Sequence, residues 1–574
     1  MLGGGIARAV SISRVTVDSE AQATAPSTRP QMSLGRDRQG RVLPTIANRF
    51  IPARVRAQLD RPWLWPILVA VLALAVRVWR LSEPKHVTFD ETYYAKDAYS
   101  LLEHGYVREF TDKADTNIEQ GNLDGILQQE PTEIVHPDGG KWLIALGEHI
   151  FGMNSFGWRI AAAVVGALTV LILARLVIRL TGSVPLGCVA GLLLCFDGLH
   201  FVMSRIALLD VFLAFWLVCA AACLVADRDW ARPRLARRHP VTETIAGFGP
   251  VRMLLFRPWR ITAGVCLGLA CGTKWSGIYV IAIFGLLTYA WDASARRAIG
   301  VRWAWLKSAL VDGIPAFACI VGVALVVYLA TWTGWLIHHE AYEQRFGFGY
   351  GDAPPWGSYL EEKPSGFFGE AWQALRSLWH YHQLVYSFHT GDYLAGKTHP
   401  YGSHPQGWLL LNRPVSMATQ VDLPPGTGGC YPEGDSGCVR QVLALGNPAI
   451  WWPGVVALIG CVWQWLVRHD WRFAVPVLGV AATWLPWFAY DDRPIFTFYT
   501  VAIIPFTITG IVLVLGSLVG SPVRTNAQRL WGTVAIGGYV ALVIAIFAYF
   551  YPILAYEIIS NDHWNQLIWF QRWI

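Results

Sequence analysis

Charge is scarce in this sequence: Asp, Glu, Lys and Arg make up 15% of 574 residues, against 54% hydrophobic residues. With a mean hydropathy of +0.36, the chain is too apolar for water-soluble domains of this length. No CxxC-type spacing of metal ligands occurs, so no structural zinc module is expected. No internal repeat of the kind found in many carriers is visible, which weighs against a transporter. Eight of the ten cysteines fall in apolar runs. Only Cys430 and Cys438 lie in polar sequence, bracketing YPEGDSG, where an oxidising compartment would join them and a reducing one would leave free thiols. The first apolar run begins only near Trp63, so an N-terminal signal peptide in the usual position is not expected and that run should remain in the mature chain.

What the sequence has instead is long apolar runs. WPILVAVLALAVRVW, VALVVYLATWTGWLI and VAIGGYVALVIAIFAYF are long enough, at a rise of about 1.5 Å per residue, to cross roughly 30 Å of hydrocarbon. The expected fold is an all-α polytopic membrane protein of about eleven spans, near 63–81, 156–180, 185–203, 206–226, 261–275, 276–292, 310–337, 449–467, 473–490, 495–519 and 530–551. Lys and Arg cluster from Arg8 to Arg56, Arg228 to Arg260 and Arg296 to Lys307, and recur at Arg468, Arg472, Arg524 and Arg529. These segments read as cytoplasmic, which places the N-terminus inside and, after an odd number of spans, the C-terminus outside. Around Lys274 two short spans are read; one long helix there would invert everything after it. Residues 1–60 read as a disordered basic cytoplasmic tail, drawn to anionic lipid rather than nucleic acid. Residues 61–574 form the membrane domain, with outer loops at 81–155 and 338–447, each expected to carry interfacial helices.

The polar oddities collect at the outer ends of the spans. In FDETYYAKDA, Asp90 and Glu91 sit side by side directly after the first span. Neighbours on a helix project about 100° apart, so one carboxylate can face a cavity while the other binds a cation or backbone; favourable placement at a helix N-terminus is the competing account. VHPDGGKWLIALGEHIFG places His136 and Lys141 ahead of an amphipathic stretch that an interfacial helix alone would explain. MSRIALLDVFLAFW sets Arg205 at a turn and Asp210 inside an apolar run, a functional signal unless the two form a structural ion pair. CGTKWSG adds Lys274, which could simply snorkel. In the long loop, His380, His382, His389, His399 and His404 lie among Trp and Tyr. That composition suits sugar contacts by His382, Gln383 and His399, a membrane-interface belt of aromatics or, with no supporting carboxylate pattern, a metal.

Taken together, FDETYYAKDA, HP..GKWL, SRIALLD, GTKWSG, HYHQLVYSFH, THPYGSHPQGWLL and GNPAIWWPG resemble the protein O-mannosyltransferases, membrane glycosyltransferases of class C, in their bacterial, actinomycete-like branch. The resemblance covers most of the chain. It departs at HPDGGK, where the wider family tends to read HPP, an apolar residue and GK. It departs again at the long loop, which is too short for the β-trefoil module of eukaryotic relatives. The resemblance implies polyprenyl-phosphate-mannose as donor and Ser or Thr hydroxyls of secreted proteins as acceptors, taken at the secretion channel. No cofactor is firmly implied, and a divalent cation is left open. A hydroxyl is a poor nucleophile, so a carboxylate must take its proton; Asp90 is the candidate base, beside Glu91. Arg205 and Lys274 are the candidates for stabilising the departing phosphate, and His136, Asp210, His382, Gln383 and His399 for sugar or acceptor contacts. A single base implies inversion. A sister transferase acting on cell-wall polysaccharide or lipid is the alternative within the fold.

Overall fold

The computed structural model of the chain describes residues 61–238, 244–251, 256–349, 355–357, 365–426, 428–431, 437–520 and 525–574; the expected tail at 1–60 lies outside them. Every expected span falls on a helix. Among the described residues seven helices are long and apolar enough to cross a membrane: Ser155–Thr181, Leu209–Ala236, Gly277–Ala298, Ala304–Ala330, Pro448–Leu466, Trp471–Ala489 and Ala527–Leu554. Leu64–Val78, Val184–Cys195 and Ile504–Val519 are shorter apolar helices. Pro258–Cys271 and Gly277–Ala298 are separate helices joined by the Lys274 turn rather than one long helix.

The third span is shorter than expected for a local reason. Asp197 interrupts the run after Cys195, its side chain accepting from the His200 N–H to cap a new short helix, Gly198–Met203. Asp197 also takes the Asn447 N–H and the Trp451 indole N–H, so the start of Pro448–Leu466 is pinned to this break.

The helical fold carries short strands in its loops. Strands β1 (Arg108–Phe110) and β2 (Leu127–Pro131) pair within the first loop. In the long loop β3 (Val415–Leu423) pairs antiparallel with β4 (Cys438–Ala444), which pairs with β5 (Ile558–Ser560) near the end of the chain. The segment after the last span therefore sits at the same end of the bundle as the long loop. Cys430 and Cys438 are disulfide-bonded, with Cα atoms 5.7 Å apart, at the start of β4.

The two loops are locked together by an aromatic core of Tyr106, Trp332, Trp335, Tyr342 and Tyr381. The Tyr381 hydroxyl accepts the Ile134 N–H at 2.6 Å, tying helix Gly366–Thr390 to the first loop. Helix Gly139–Phe151 leaves Trp142, Leu146 and Ile150 exposed, and Gly366–Thr390 leaves Phe368, Trp372, Leu375 and Trp379 exposed. These are the one-sided apolar stripes of helices that lie along a membrane boundary.

Candidate active site

Asp90 and Glu91 diverge completely. Phe89, in the left-handed region at φ 51°, turns the chain so that Asp90 becomes the residue before helix Glu91–His104. Glu91 is fully buried. It accepts from Arg159 Nε at 2.8 Å and Nη2 at 2.7 Å, from the Thr88 N–H and hydroxyl at 2.9 Å, and from the Ala207 N–H at 2.9 Å. Arg159 in turn donates to the carbonyls of Leu81, Pro84 and His86. This carboxylate is a structural hub and has no capacity left for a substrate.

Asp90 is partly exposed and makes no capping hydrogen bond. Burial raises its pKa to about 6, with nearby Lys274 pulling it down and Asp210 pushing it up. A carboxylate poised there, ionised at neutral pH yet basic enough to accept a proton, suits general-base chemistry.

Lys274 Nζ donates to both Asp210 oxygens, at 2.8 and 2.9 Å, and lies 4.6 Å from the centre of the Tyr499 ring. The competing Arg205–Asp210 ion pair does not form. Arg205 instead donates to the carbonyls of Arg77, Trp79 and Arg80, clamping the end of the first span just ahead of Asp90. Gly139 is what lets the HPDGGK turn meet the Lys274 turn: its N–H bonds to Gly272 O at 3.0 Å, and a Cβ there would sit 2.7 Å from that oxygen. The departing Asp138 has a partner of its own, because Lys141 bridges it to Asp97 at 3.1 and 3.0 Å.

His136 stacks on His389 with centroids 5.8 Å apart and lies 6.2 Å from Tyr94. Burial, then Lys274 and His389, drive the pKa of His136 well below the usual imidazole range; burial and Arg493 bring that of His389 to about 4. Both rings are neutral at physiological pH. Arg493 Nη1 lies 2.9 Å from His389 Nδ1, and its Nε is buried with no hydrogen-bond partner among the described residues. His382 stacks on Trp275 at 5.3 Å, with its ring nitrogens engaged by Leu378 O and the Tyr328 hydroxyl. His399, exposed, has its ring 5.0 Å from Phe496 and 6.3 Å from Phe89. Gln383 is exposed and joins none of this, because one residue past His382 on a helix points about 100° away. Among the described residues no group of three or more His, Cys, Asp or Glu is placed to hold a metal ion.

Beside these charges opens a small pocket, lined by Asp210, Leu213, Leu217, Tyr279, Trp487 and Tyr499 among others. Arg493, Tyr94, Tyr499 and Arg159 are the site residues that sequence reading misses. Arg493 alone had a signal, a cation in the short YDDRP link between two spans.

A buried carboxylate hub, an open carboxylate, cations and an apolar cavity at one end of a helical bundle suit a membrane glycosyltransferase. The fold agrees: it superposes on the S. cerevisiae protein O-mannosyltransferase Pmt1-Pmt2 complex bound to the sugar donor with a TM-score of 0.63, at 14% identity, over 91% of this chain and 94% of that one. The family model for dolichyl-phosphate-mannose-protein mannosyltransferase matches residues 67–239, and that for the C-terminal four-span region of protein-O-mannosyltransferase matches residues 374–573. Polyprenol-phosphate-mannose–protein mannosyltransferase of Mycobacterium tuberculosis is 37% identical over 95% of this chain and 100% of its own length. The Corynebacterium glutamicum protein of that name is 32% identical over 93% of this chain and 98% of its own. The chain belongs to the protein O-mannosyltransferase family.

Proposed function

We propose that this enzyme transfers mannose from polyprenyl-phosphate-mannose to Ser or Thr hydroxyls of secreted proteins, with inversion. The observation that carries the reading is the contrast within the DE pair: Glu91 is saturated by Arg159 and backbone, while Asp90 is open, tuned to about 6 and set beside Lys274. Asp90 accepts the hydroxyl proton as the oxygen attacks the anomeric carbon; the C–O bond to phosphate breaks as the new one forms. Negative charge grows on the leaving phosphate, and Lys274 with Arg493 stabilises it. Lys274 is already paired with Asp210, so Arg493, with its unused Nε, supplies the second cation. Arg205 serves by fixing the turn that presents Asp90. The carrier lipid follows the cavity wall of Leu213 and Leu217, and the neutral rings of His136 and His389 face the sugar.

In this reading residues 1–60 are a cytoplasmic tail, residues 61–574 the plasma-membrane domain, and the loops at 81–155 and 338–447 lie outside with the C-terminus, facing chains that leave the secretion channel. The disulfide between Cys430 and Cys438 fits that oxidising side. Membranes containing the protein, given radiolabelled polyprenyl-phosphate-mannose and a Ser/Thr-rich peptide, should yield peptide with α-linked mannose. Label found only in lipid or polysaccharide would overturn the acceptor class, and β-linked product would overturn inversion.

A further inference from the structure

Trp275 follows Lys274 in the turn between Pro258–Cys271 and Gly277–Ala298, and three side chains hold its indole. The Nε1–H donates to the Tyr328 hydroxyl at 2.8 Å, the ring stacks on His382 at 5.3 Å and 19°, and it meets His389 edge-on at 6.3 Å and 64°. His382 and His389 are seven residues apart on helix Gly366–Thr390, so two turns of one helix face close on the same indole. Tyr328 comes from the end of the span Ala304–Ala330. Trp332, from the aromatic core that joins the two loops, lies 4.9 Å from the His382 ring and ties this group to that core.

The direction of each hydrogen bond in this chain follows from its last acceptor. A carbonyl only accepts, so His382 Nδ1, 2.7 Å from Leu378 O, carries the ring proton. Burial holds that imidazole below its usual range, so the ring is neutral and Nε2 offers a lone pair, which takes the Tyr328 O–H at 2.5 Å. The Tyr328 oxygen is left to accept the Trp275 N–H. Both His382 nitrogens and the one hydroxyl proton of Tyr328 are therefore engaged inside the protein, and neither side chain has a donor left for a sugar hydroxyl. This is a different role from the sugar contact that the sequence suggests for His382.

Trp275 links the two cations assigned to the leaving phosphate: it is bonded to Lys274 through the backbone, and its neighbour His389 has Arg493 Nη1 at 2.9 Å. We infer that Tyr328 and His382 are positioning residues, which fix Trp275 and through it the spacing of Lys274 and Arg493 around the departing phosphate, a role that rests on the assignment of those two cations under the proposed function. A misplacement of about 1 Å at a reacting centre can cost on the order of 10²-fold in rate, so loosening the indole should show in turnover rather than in donor affinity.

The test is steady-state transfer from polyprenyl-phosphate-mannose to a synthetic Ser/Thr peptide by the full chain in membranes, scaled to the amount of folded protein. Tyr328→Phe keeps the ring and removes the hydroxyl that joins Trp275 to His382; kcat should fall about tenfold while KM for the donor stays within about twofold. His382→Ala, which breaks the same chain at its other end, should give the same split. A donor KM raised about tenfold, with or without a change in kcat, would make the altered residue a sugar contact and overturn the inference. Wild-type kcat per folded molecule in both variants would overturn it as well. Lys274→Ala and Arg493→Ala, measured alongside, separate this role from the reading beneath it. If both transfer normally, the cation assignment fails and the positioning role with it; if both lose transfer while Tyr328→Phe and His382→Ala do not, the positioning role alone fails.

Discussion

Helix Leu209–Arg238 joins two charged clusters built from the same residue types on opposite plans. At its Arg232 end Asp227 accepts from Arg257 at 2.8 and 2.5 Å and from Arg260 at 3.1 Å, and Asp292 takes one hydrogen bond from each arginine, at 2.9 and 2.7 Å. Two anions and two cations close on each other. At its Asp210 end one acid–base pair, Lys274–Asp210, leaves the nearby Asp90 carboxylate and the Arg493 Nε without a hydrogen-bond partner in the described chain. A closed ring of charges holds helices together and has nothing left to offer a substrate; an open set has unspent charge, and that is where chemistry can occur. Glu91 and Asp90 repeat the contrast between adjacent residues.

The sharpest way to break that comparison is Asp90→Asn. The amide keeps the shape, cannot take a proton, and replaces a carboxylate with no side-chain hydrogen bond among the described residues, so transfer to a synthetic peptide should fall at least about 10²-fold while folding and donor binding persist. Near-normal transfer at matched expression would remove Asp90 from the chemistry.

Glu91→Gln should fail differently. From sequence alone, this variant is expected to do less than Asp90→Asn. The structure relocates its effect, because Arg159 would be left buried with a neutral partner, a loss on the order of 3–5 kcal/mol for a broken buried pair. The expected result is a collapse in folded protein, read by thermal unfolding in detergent, with the surviving fraction still active. A well-folded but dead Glu91→Gln would mean that the wrong carboxylate has been named.

The pH profile separates the two carboxylates again. Because only the ionised form of Asp90 accepts a proton, transfer should be flat above neutrality and fall about tenfold per pH unit below about 6, a limb absent from Asp90→Asn. Stability runs with the opposite sign. A carboxyl whose pKa rises from 3.8 to about 6 on folding binds its proton more tightly in the native state, so this group's contribution is present at low pH and is lost as pH climbs through that window. Asp90→Asn should therefore gain relative stability at pH 7.5 and none at pH 3.5; an activity limb at the ordinary carboxylate range would show that the site does not tune Asp90.

How far all this is legible in the sequence depends on the reach of each interaction. Spans are written in composition and length, and charges at their ends, such as Asp90, Asp210 and Lys274, stand out against apolar surroundings. Their partners were not legible. Asp210 suggested Arg205, five residues away, but takes Lys274, 64 residues on, and Glu91 takes Arg159 from 68 residues on. The sheet β3–β4–β5 was invisible because β4 finds its second partner, β5, more than a hundred residues later, and half of β3 is polar. Two neighbouring aspartates make Arg493 in YDDRP read as part of a solvated link, whereas the fold turns the arginine onto His389.

The smallest effect expected is at the far end. Asp292→Asn removes one anion from the closed ring, but Arg257 and Arg260 still share Asp227, and the Asn oxygen can accept one of the two lost hydrogen bonds. The loss should be about 1–3 kcal/mol, below that of a pair broken outright, because each cation keeps a carboxylate. Transfer per folded molecule should not change, since Asp227 lies about 26 Å along the helix from Asp210, the partner of Lys274, and the ring contributes no group to the pocket beside it. Thermal unfolding and peptide mannosylation on the same preparation decide the matter together. A lower melting temperature with unchanged turnover keeps the two ends separate. A tenfold fall in turnover with an unchanged melting temperature would mean that the closed ring transmits to the open site through the shared helix, and the division between a cluster that holds and a cluster that reacts would have to be abandoned.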